Sequence, residues 1–276
     1  MVTADNHRDG PAELLDLAVG TAREAGRMLI DKRPAAGPDV VETKSSPTDV
    51  VTQMDRAAER LIVDRIRAAR PGDAFLGEEG GSSNGSSGVR WIIDPIDGTV
   101  NYLYDLPDWA VSIAAEVDGE VVAGVVEIPH RGETYTAVRG GGALQHAASG
   151  TRELRCRTGV PLAQALVATG FGYFAQRRAH QAEVLRGVLP RVRDIRRGGS
   201  CCVDLCSLAA GRVDAFFERG NQEWDIAAGG LIVREAGGRV EGLAGAPPGP
   251  ELTIAAAPDL FSALHGLLAA LDPTHD

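Results

Sequence analysis

Trp91-Ile92-Ile93-Asp94-Pro95-Ile96-Asp97-Gly98-Thr99 carries more chemistry per residue than any other stretch of the chain. Its apolar start reads as a buried strand, and two aspartates follow at the strand's end. Pro95 fixes its own φ and is expected to force a turn, which would let Asp94 and Asp97 point toward one centre. Gly98 allows backbone to approach a ligand closely. A short helix opening after it would turn free N–H groups toward a phosphate. Oxygen-only ligands beside a phosphate describe a magnesium site. The plainer reading makes Asp97 a helix cap and Asp94 the first residue of a turn.

Working outward, Gly77-Glu78-Glu79-Gly80 offers two more carboxylates at a strand end, just before the low-complexity stretch Gly80–Gly88, which reads as a flexible loop. Far downstream, Trp224-Asp225 opens an Ala/Gly-rich helix, where an aspartate is by default an N-cap. Asp55 falls in the first turn of a helix starting near Thr52, a place the helix dipole favours for any acid.

Around these acids the elements change character. Helical spacing is expected from Ala12 to Lys32 and from Thr52 to Pro71, followed by strands at 74–76, 89–93, 110–117, 121–128 and 133–138, with Asp118-Gly119 as a hairpin turn. From Ala165 strands (165–169, 194–197, 213–217, 252–255) alternate with helices (200–210, 225–236, 258–271). The expected organisation is therefore an α+β half over residues 1–150, carrying most of the acids, and an α/β half over 151–276 that completes the site.

A chain of 276 residues with 44% hydrophobic residues has the material for a large core. The net charge of −10 argues against a broad nucleic-acid surface. One basic run, Arg191–Arg197, reads as a solvated helix end leading into a strand. No stretch approaches the roughly 18 apolar residues that a membrane helix needs. The polar start Met1–Glu13 does not read as a signal peptide, so a cytoplasmic protein without membrane contact is expected. Cys156, Cys201, Cys202 and Cys206 lack metal spacing and read as small buried thiols.

Four segments together resemble the successive signatures of the inositol monophosphatase family, in its order and at comparable separations: Lys44–Asp55, Gly77–Gly80, Trp91–Thr99 and Trp224–Gly238. The resemblance spans residues 12 to 270. It implies a layered αβαβα sandwich of the sugar-phosphatase type and a lithium-sensitive, magnesium-dependent phosphatase holding two or three Mg2+ ions. Glu78, Asp94 and the Ile96 carbonyl would hold one ion, and Asp94, Asp97 and Asp225 a second. Thr99, polarised by Asp55, would work with Glu78 to orient the attacking water. Substrate contacts would come from Ile96, Asp97, Gly98, Thr99, Gly199, Ser200, Cys201, Glu218 and Asp225. Cys201 is a mild departure, since relatives usually carry a small residue such as Ala there.

The resemblance further implies a homodimer acting on a small phosphate monoester, with myo-inositol 1-phosphate the first choice and related sugar phosphates behind it. Glu218 favours a hydroxyl-rich substrate, whereas a nucleotide would call for stacking aromatics or extra cations nearby. As a plain surface acid, Glu218 would pair with Arg219. Histidinol phosphate, adenosine 3',5'-bisphosphate and fructose 1,6-bisphosphate are the alternatives within the enzyme class. A binding role in transcription or ribosome assembly is the alternative outside it.

Overall fold

Periodic apolar residues place the two opening helices where they were expected, and a computed structural model describes residues 10–35, 37–44 and 50–275 of the chain. Residues 1–9 and 45–49, which include part of the first signature, lie outside the described residues. Helix α1 (Pro11–Asp31) buries Leu14, Ala18, Ala22, Ala25 and Leu29 along one stripe. Strands β1 (Val40–Thr43) and β2 (Val50–Thr52) pair antiparallel and lead into α2 (Gln53–Ala69). Next come β3 (Ala74–Gly77), β4 (Gly81–Ser83), β5 (Val89–Asp97), the single-turn α3 (Thr99–Leu103), β6 (Ala110–Val117), β7 (Glu120–Ile128), β8 (Glu133–Val138), β9 (Gly142–Ala147) and β10 (Gly150–Glu153). The remainder is β11 (Leu166–Thr169), α4 (Ala175–Val188), β12 (Asp194–Arg196), α5 (Cys201–Ala209), β13 (Ala215–Glu218), α6 (Glu223–Glu235), β14 (Arg239–Glu241), β15 (Thr253–Ala256) and α7 (Pro258–Ala270).

Strands β3 to β10 form one eight-stranded sheet, in the order β10-β9-β8-β7-β6-β5-β3-β4. Strands β11 to β15 form a second, in the order β12-β11-β13-β15-β14. Side-chain alternation sorts the interior into layers. On β5, Trp91 and Ile93 pack with α1 and α2, while Ile92 faces α5 and α6. On β13, Phe216 faces those same two helices, and Ala215 and Phe217 pack against α4 and α7. Helices α5 and α6 thus lie between the sheets, giving the αβαβα order. No helix among the described residues is long and apolar enough to cross a membrane.

Several elements differ from the sequence expectation. Residues 81–83 of the Gly/Ser stretch form β4, an edge strand paired with β3 by backbone hydrogen bonds that need no apolar side chains. Helix α4 was not expected, because its sequence is largely polar and only Gln181, Val184 and Val188 are buried. Strand β5 does not stop at Ile93 and no turn forms at Pro95. It runs to Asp97 through a bulge, with Asp94 opposite Ser112 and Asp97 opposite Ala110. Pro95 has no N–H to place in the ladder, so the extra residue is accommodated there. All four cysteines are free and buried.

The middle layer is tightly set. A Cβ at Gly124 of β7 would lie 3.0 Å from the Ala228 Cα of α6, so helix and sheet are in near-backbone contact. Gly124→Val should therefore push α6 away and lower stability by about 1–3 kcal/mol. A denaturation midpoint equal to that of the unsubstituted chain would show that the contact is slack.

Candidate metal centre and active site

The site forms where strand ends from one sheet meet helix starts from the middle layer. Strands β3 and β5 run parallel with Gly77 opposite Ile93, so Glu78 and Asp94 emerge side by side. In a regular strand, side chains three residues apart would point to opposite faces, and the bulge corrects this for Asp94 and Asp97. Asp94 Oδ1 accepts the Ile96 N–H at 3.0 Å, which fixes the bulge from within. Asp225 arrives on the first turn of α6, where its carboxylate also accepts the Gln222 N–H at 2.6 Å. One oxygen from each of Asp94, Asp97 and Asp225 lies within 4.8 Å of the others.

The electrostatics of this cluster are unfavourable without a cation. Burial raises the Asp94 carboxyl well above the usual range, and Glu78, Asp97 and Asp225 push the same way. Burial, then Asp97 and Glu78, do likewise to Asp225. Burial also raises Asp97, but the Ser200 hydroxyl and the Cys202 N–H, each 2.6 Å from its Oδ2, oppose it. Asp97 therefore does cap a helix, though it is the distant α5 and not the helix that follows it. Among the described residues no Lys or Arg forms a salt bridge to Asp94, Asp97 or Asp225. Converging hard oxygen donors without a cation of their own suit a divalent ion such as magnesium.

Glu78 is arranged differently. Lys44 Nζ lies 2.7 Å from Glu78 Oε1 and 2.5 Å from Glu79 Oε1. Burial works against the Lys44 ammonium, yet the two glutamates outweigh it and hold the lysine above its ordinary range. Glu79 thus has a supporting role, and its own N–H donates to Glu59 Oε2 at 2.8 Å beneath the turn.

Gly98 adopts φ +92°, and its backbone passes close to the carbonyls of Asp108 and Gly199, leaving room for little else. Helix α3 opens immediately after it. The Thr99 hydroxyl is 3.1 Å from both Asp55 Oδ1 and the Ile96 carbonyl, and its single proton can go to only one of them. Asp55 is buried, and its other oxygen accepts the Thr52 N–H at 2.8 Å and the Thr52 hydroxyl at 2.5 Å. Burial pushes Asp55 up to about 6 against those donors.

A cleft of about 550 Å³ opens from this cluster. Among the expected site residues, Glu78, Asp94, Ile96, Asp97, Gly98, Thr99, Gly199, Ser200, Cys201, Glu218 and Asp225 all line it, with Asp55 behind Thr99. Glu218 is not a surface acid paired with Arg219. Its carboxyl lies against Gly170, while Arg219 is buried and Arg219 Nη1 donates to the His275 carbonyl at 2.9 Å. Burial, with Asp204 and Asp97, pushes Glu218 up to about 8 against the pull of Arg197. Cys201 Sγ accepts from Asn221 Nδ2 at 2.9 Å, and Cys202 Sγ donates to the Asp225 carbonyl at 3.2 Å.

Sequence reasoning gave no role to Lys44, Phe174, Arg177, Arg197 or Asn221, all of which line the cleft. Only Lys44 had a signal, as the head of the first signature. Arg197 corrects the reading of the basic run, since it faces the cleft and not only solvent.

The profile of the inositol monophosphatase family matches residues 11–273. An inositol-1-monophosphatase of Mycobacterium bovis is 47% identical over 254 residues, covering 87% of this chain and 86% of that protein. The Nus factor SuhB of Pasteurella multocida is 42% identical over 229 residues, covering 82% and 84%. The structure of Mycobacterium tuberculosis SuhB superposes with a TM-score of 0.83 at 42% identity, covering 97% of this chain and all of that one.

Asp94 and Asp225 have folded-state pKa values raised above the unfolded value, so cation-free protein should lose stability as pH rises above roughly 4. Asp94→Asn removes one repelling charge. In chelator at neutral pH this variant should melt at or above the temperature of the unsubstituted chain, and magnesium should raise its melting temperature less. A variant that melts lower in chelator, yet gains as much from magnesium, would show that Asp94 is not part of a cation site.

Proposed function

The chain belongs to the inositol monophosphatase family, and we propose that it catalyses magnesium-dependent hydrolysis of myo-inositol 1-phosphate and related sugar phosphate monoesters. The observation that carries this reading is the convergence of Asp94, Asp97 and Asp225 within 4.8 Å beside the Thr99–Asp55 pair. Hydrolysis of a phosphate monoester asks little covalent chemistry of a protein, and positioning and charge neutralisation supply most of the rate. Glu78, Asp94 and the Ile96 carbonyl would hold one ion, with Asp94, Asp97 and Asp225 holding another. Magnesium, when bound, would neutralise phosphoryl oxygens and make water a better nucleophile at neutral pH.

The chain's own groups divide the remaining work. The N–H groups of Gly98 and Thr99 would donate to the phosphoryl oxygens. Thr99, by donating its hydrogen bond to Asp55, would keep a lone pair free to accept a hydrogen bond from the attacking water. The Glu78 carboxylate would accept a hydrogen bond from the water's other hydrogen, so that an oxygen lone pair is aimed at phosphorus and a single proton is lost as the bond to phosphorus forms. Ser200, Cys201 and Glu218 would face the alcohol part of the ester. A carboxyl group offers two oxygens that can bond neighbouring hydroxyls at once, which suits a polyol.

A regulatory role beside catalysis is the second reading, and the likeness to a Nus factor motivates it. Specific co-purification of transcription proteins from the native host, preserved in Asp94→Asn, would support it.

Activity on a panel of phosphate esters, with magnesium and with excess chelator, tests the main reading, and equal turnover in chelator would overturn it. Lithium is expected to inhibit. Thr99→Ala keeps the backbone amide but loses the hydroxyl, so kcat should fall about 100-fold with little change in KM. A rise in KM alone would make the hydroxyl a substrate contact. Glu218→Ala should lower kcat/KM for inositol 1-phosphate about tenfold and much less for p-nitrophenyl phosphate, which has no hydroxyls. Equal losses on both esters would place Glu218 in the metal site or the fold.

A further inference from the structure

Glu59 is a buried acid without a part in the hydrolytic scheme, and it does not line the cleft. It lies on α2 one turn after Asp55, and residues four apart on a helix share a face. From that face Asp55 reaches the Thr99 hydroxyl. Glu59 reaches the turn of residues 78–80, which joins β3 to β4. Strand β4 is a short, exposed edge strand, so the turn depends on what lies beneath it.

The fit beneath the turn is close. The Glu78 N–H goes to the Ile93 carbonyl of β5 at 3.2 Å. The Glu79 N–H goes to Glu59 Oε2 at 2.8 Å, and the Gly80 N–H lends the same carboxylate further support. A Cβ at Gly77 would lie 2.6 Å from Glu59 Oε2, and one at Gly80 would overlap Oε1. Neither glycine has a positive φ. Space for this carboxylate, and not backbone conformation, therefore calls for glycine on both sides of the Glu78-Glu79 pair.

We propose that Glu59 is a positioning residue for the hydrolysis, fixing through this turn where the Glu78 carboxylate stands relative to Thr99. The inference rests on the phosphatase reading above and deepens it. The two groups that would hold the attacking water come from separate elements, Glu78 from the end of β3 and Thr99 from the start of α3. One turn of α2 touches both, through Asp55 and Glu59. A water held by two acceptors is aimed only when their separation is fixed, and a misplacement of about 1 Å can cost about 100-fold in rate.

Glu59→Gln keeps the side chain's size but sets an NH2 group against a backbone N–H. Well below the melting temperature and at saturating magnesium, kcat should fall about tenfold for inositol 1-phosphate and p-nitrophenyl phosphate alike, with little change in KM. Calorimetry without ester should show magnesium bound about tenfold more weakly. Glu59→Asp, which restores both oxygens on a shorter stem, should recover part of each loss. Gly80→Ala should weaken magnesium binding similarly in the unsubstituted chain, where its methyl meets Glu59, and cost nothing further in Glu59→Ala. Unaltered kcat and magnesium affinity in Glu59→Gln would overturn the proposal, even if that variant melts lower. So would a loss confined to KM or to one ester, or additive effects of Gly80→Ala and Glu59→Ala. Failure of the phosphatase reading looks different: the unsubstituted chain would turn over neither ester in magnesium, and the calorimetric comparison would still decide whether Glu59 sets the turn.

Discussion

Mutual repulsion among carboxylates packed at one point is the constraint around which the molecule is organised. Asp94, Asp97 and Asp225 share a space that would suit a single ion, and Glu78 stands next to them. Such a cluster is tolerable only where donors are supplied in quantity and the acids cannot move apart. The donors come from helix starts. Ser200 and the Cys202 N–H at the head of α5 hold Asp97, and the Gln222 N–H at the head of α6 holds Asp225. Asp55 is held in the same manner at the head of α2. Partial positive charge at the starts of these helices therefore converges on the cleft. It would favour a phosphate as much as it favours the acids.

Immobility comes from the layers. The middle helices are clamped between two sheets, so the α6 aspartate and the β5 aspartates are fixed relative to each other by packing and not by a loop. Lower down, Trp91 Nε1 donates to Asp73 at 2.8 Å, which locks the strand that carries Asp94. Asn101 bonds the Gly198 carbonyl at 2.9 Å and ties the turn after Gly98 to the segment before α5. The acids are thus held by polar contacts at their heads and by apolar cores beneath.

Much of this was legible in the sequence because it rests on local chemistry. Periodicity in α1 and the apolar strands β5 to β8 have strong signals, and the acids come embedded in unusual neighbours such as Pro95 and Gly98. Other features depend on the assembled fold. Nothing in Trp91–Thr99 distinguishes a turn at Pro95 from a bulge, because the difference lies in which residue of β6 each aspartate faces. Edge strands such as β4 and β10 owe their existence to backbone pairing and carry no apolar pattern. Arg177 sits in a polar helix without a periodic stripe, and Arg197 is one of a basic cluster. Which guanidinium meets the cleft is decided by tertiary placement alone.

The two ends of the cleft are built from different material. The acidic end is made from strand termini and clamped helices, where almost any substitution disturbs a core or a polar lock. The far end is lined by the 170–177 segment, where Tyr173 and Phe174 are exposed, and exposed positions generally tolerate exchange with little effect on stability. Such a partition separates two tasks in space: exchanging a few exposed rim side chains would alter what the cleft admits while leaving the clamped acids where they are.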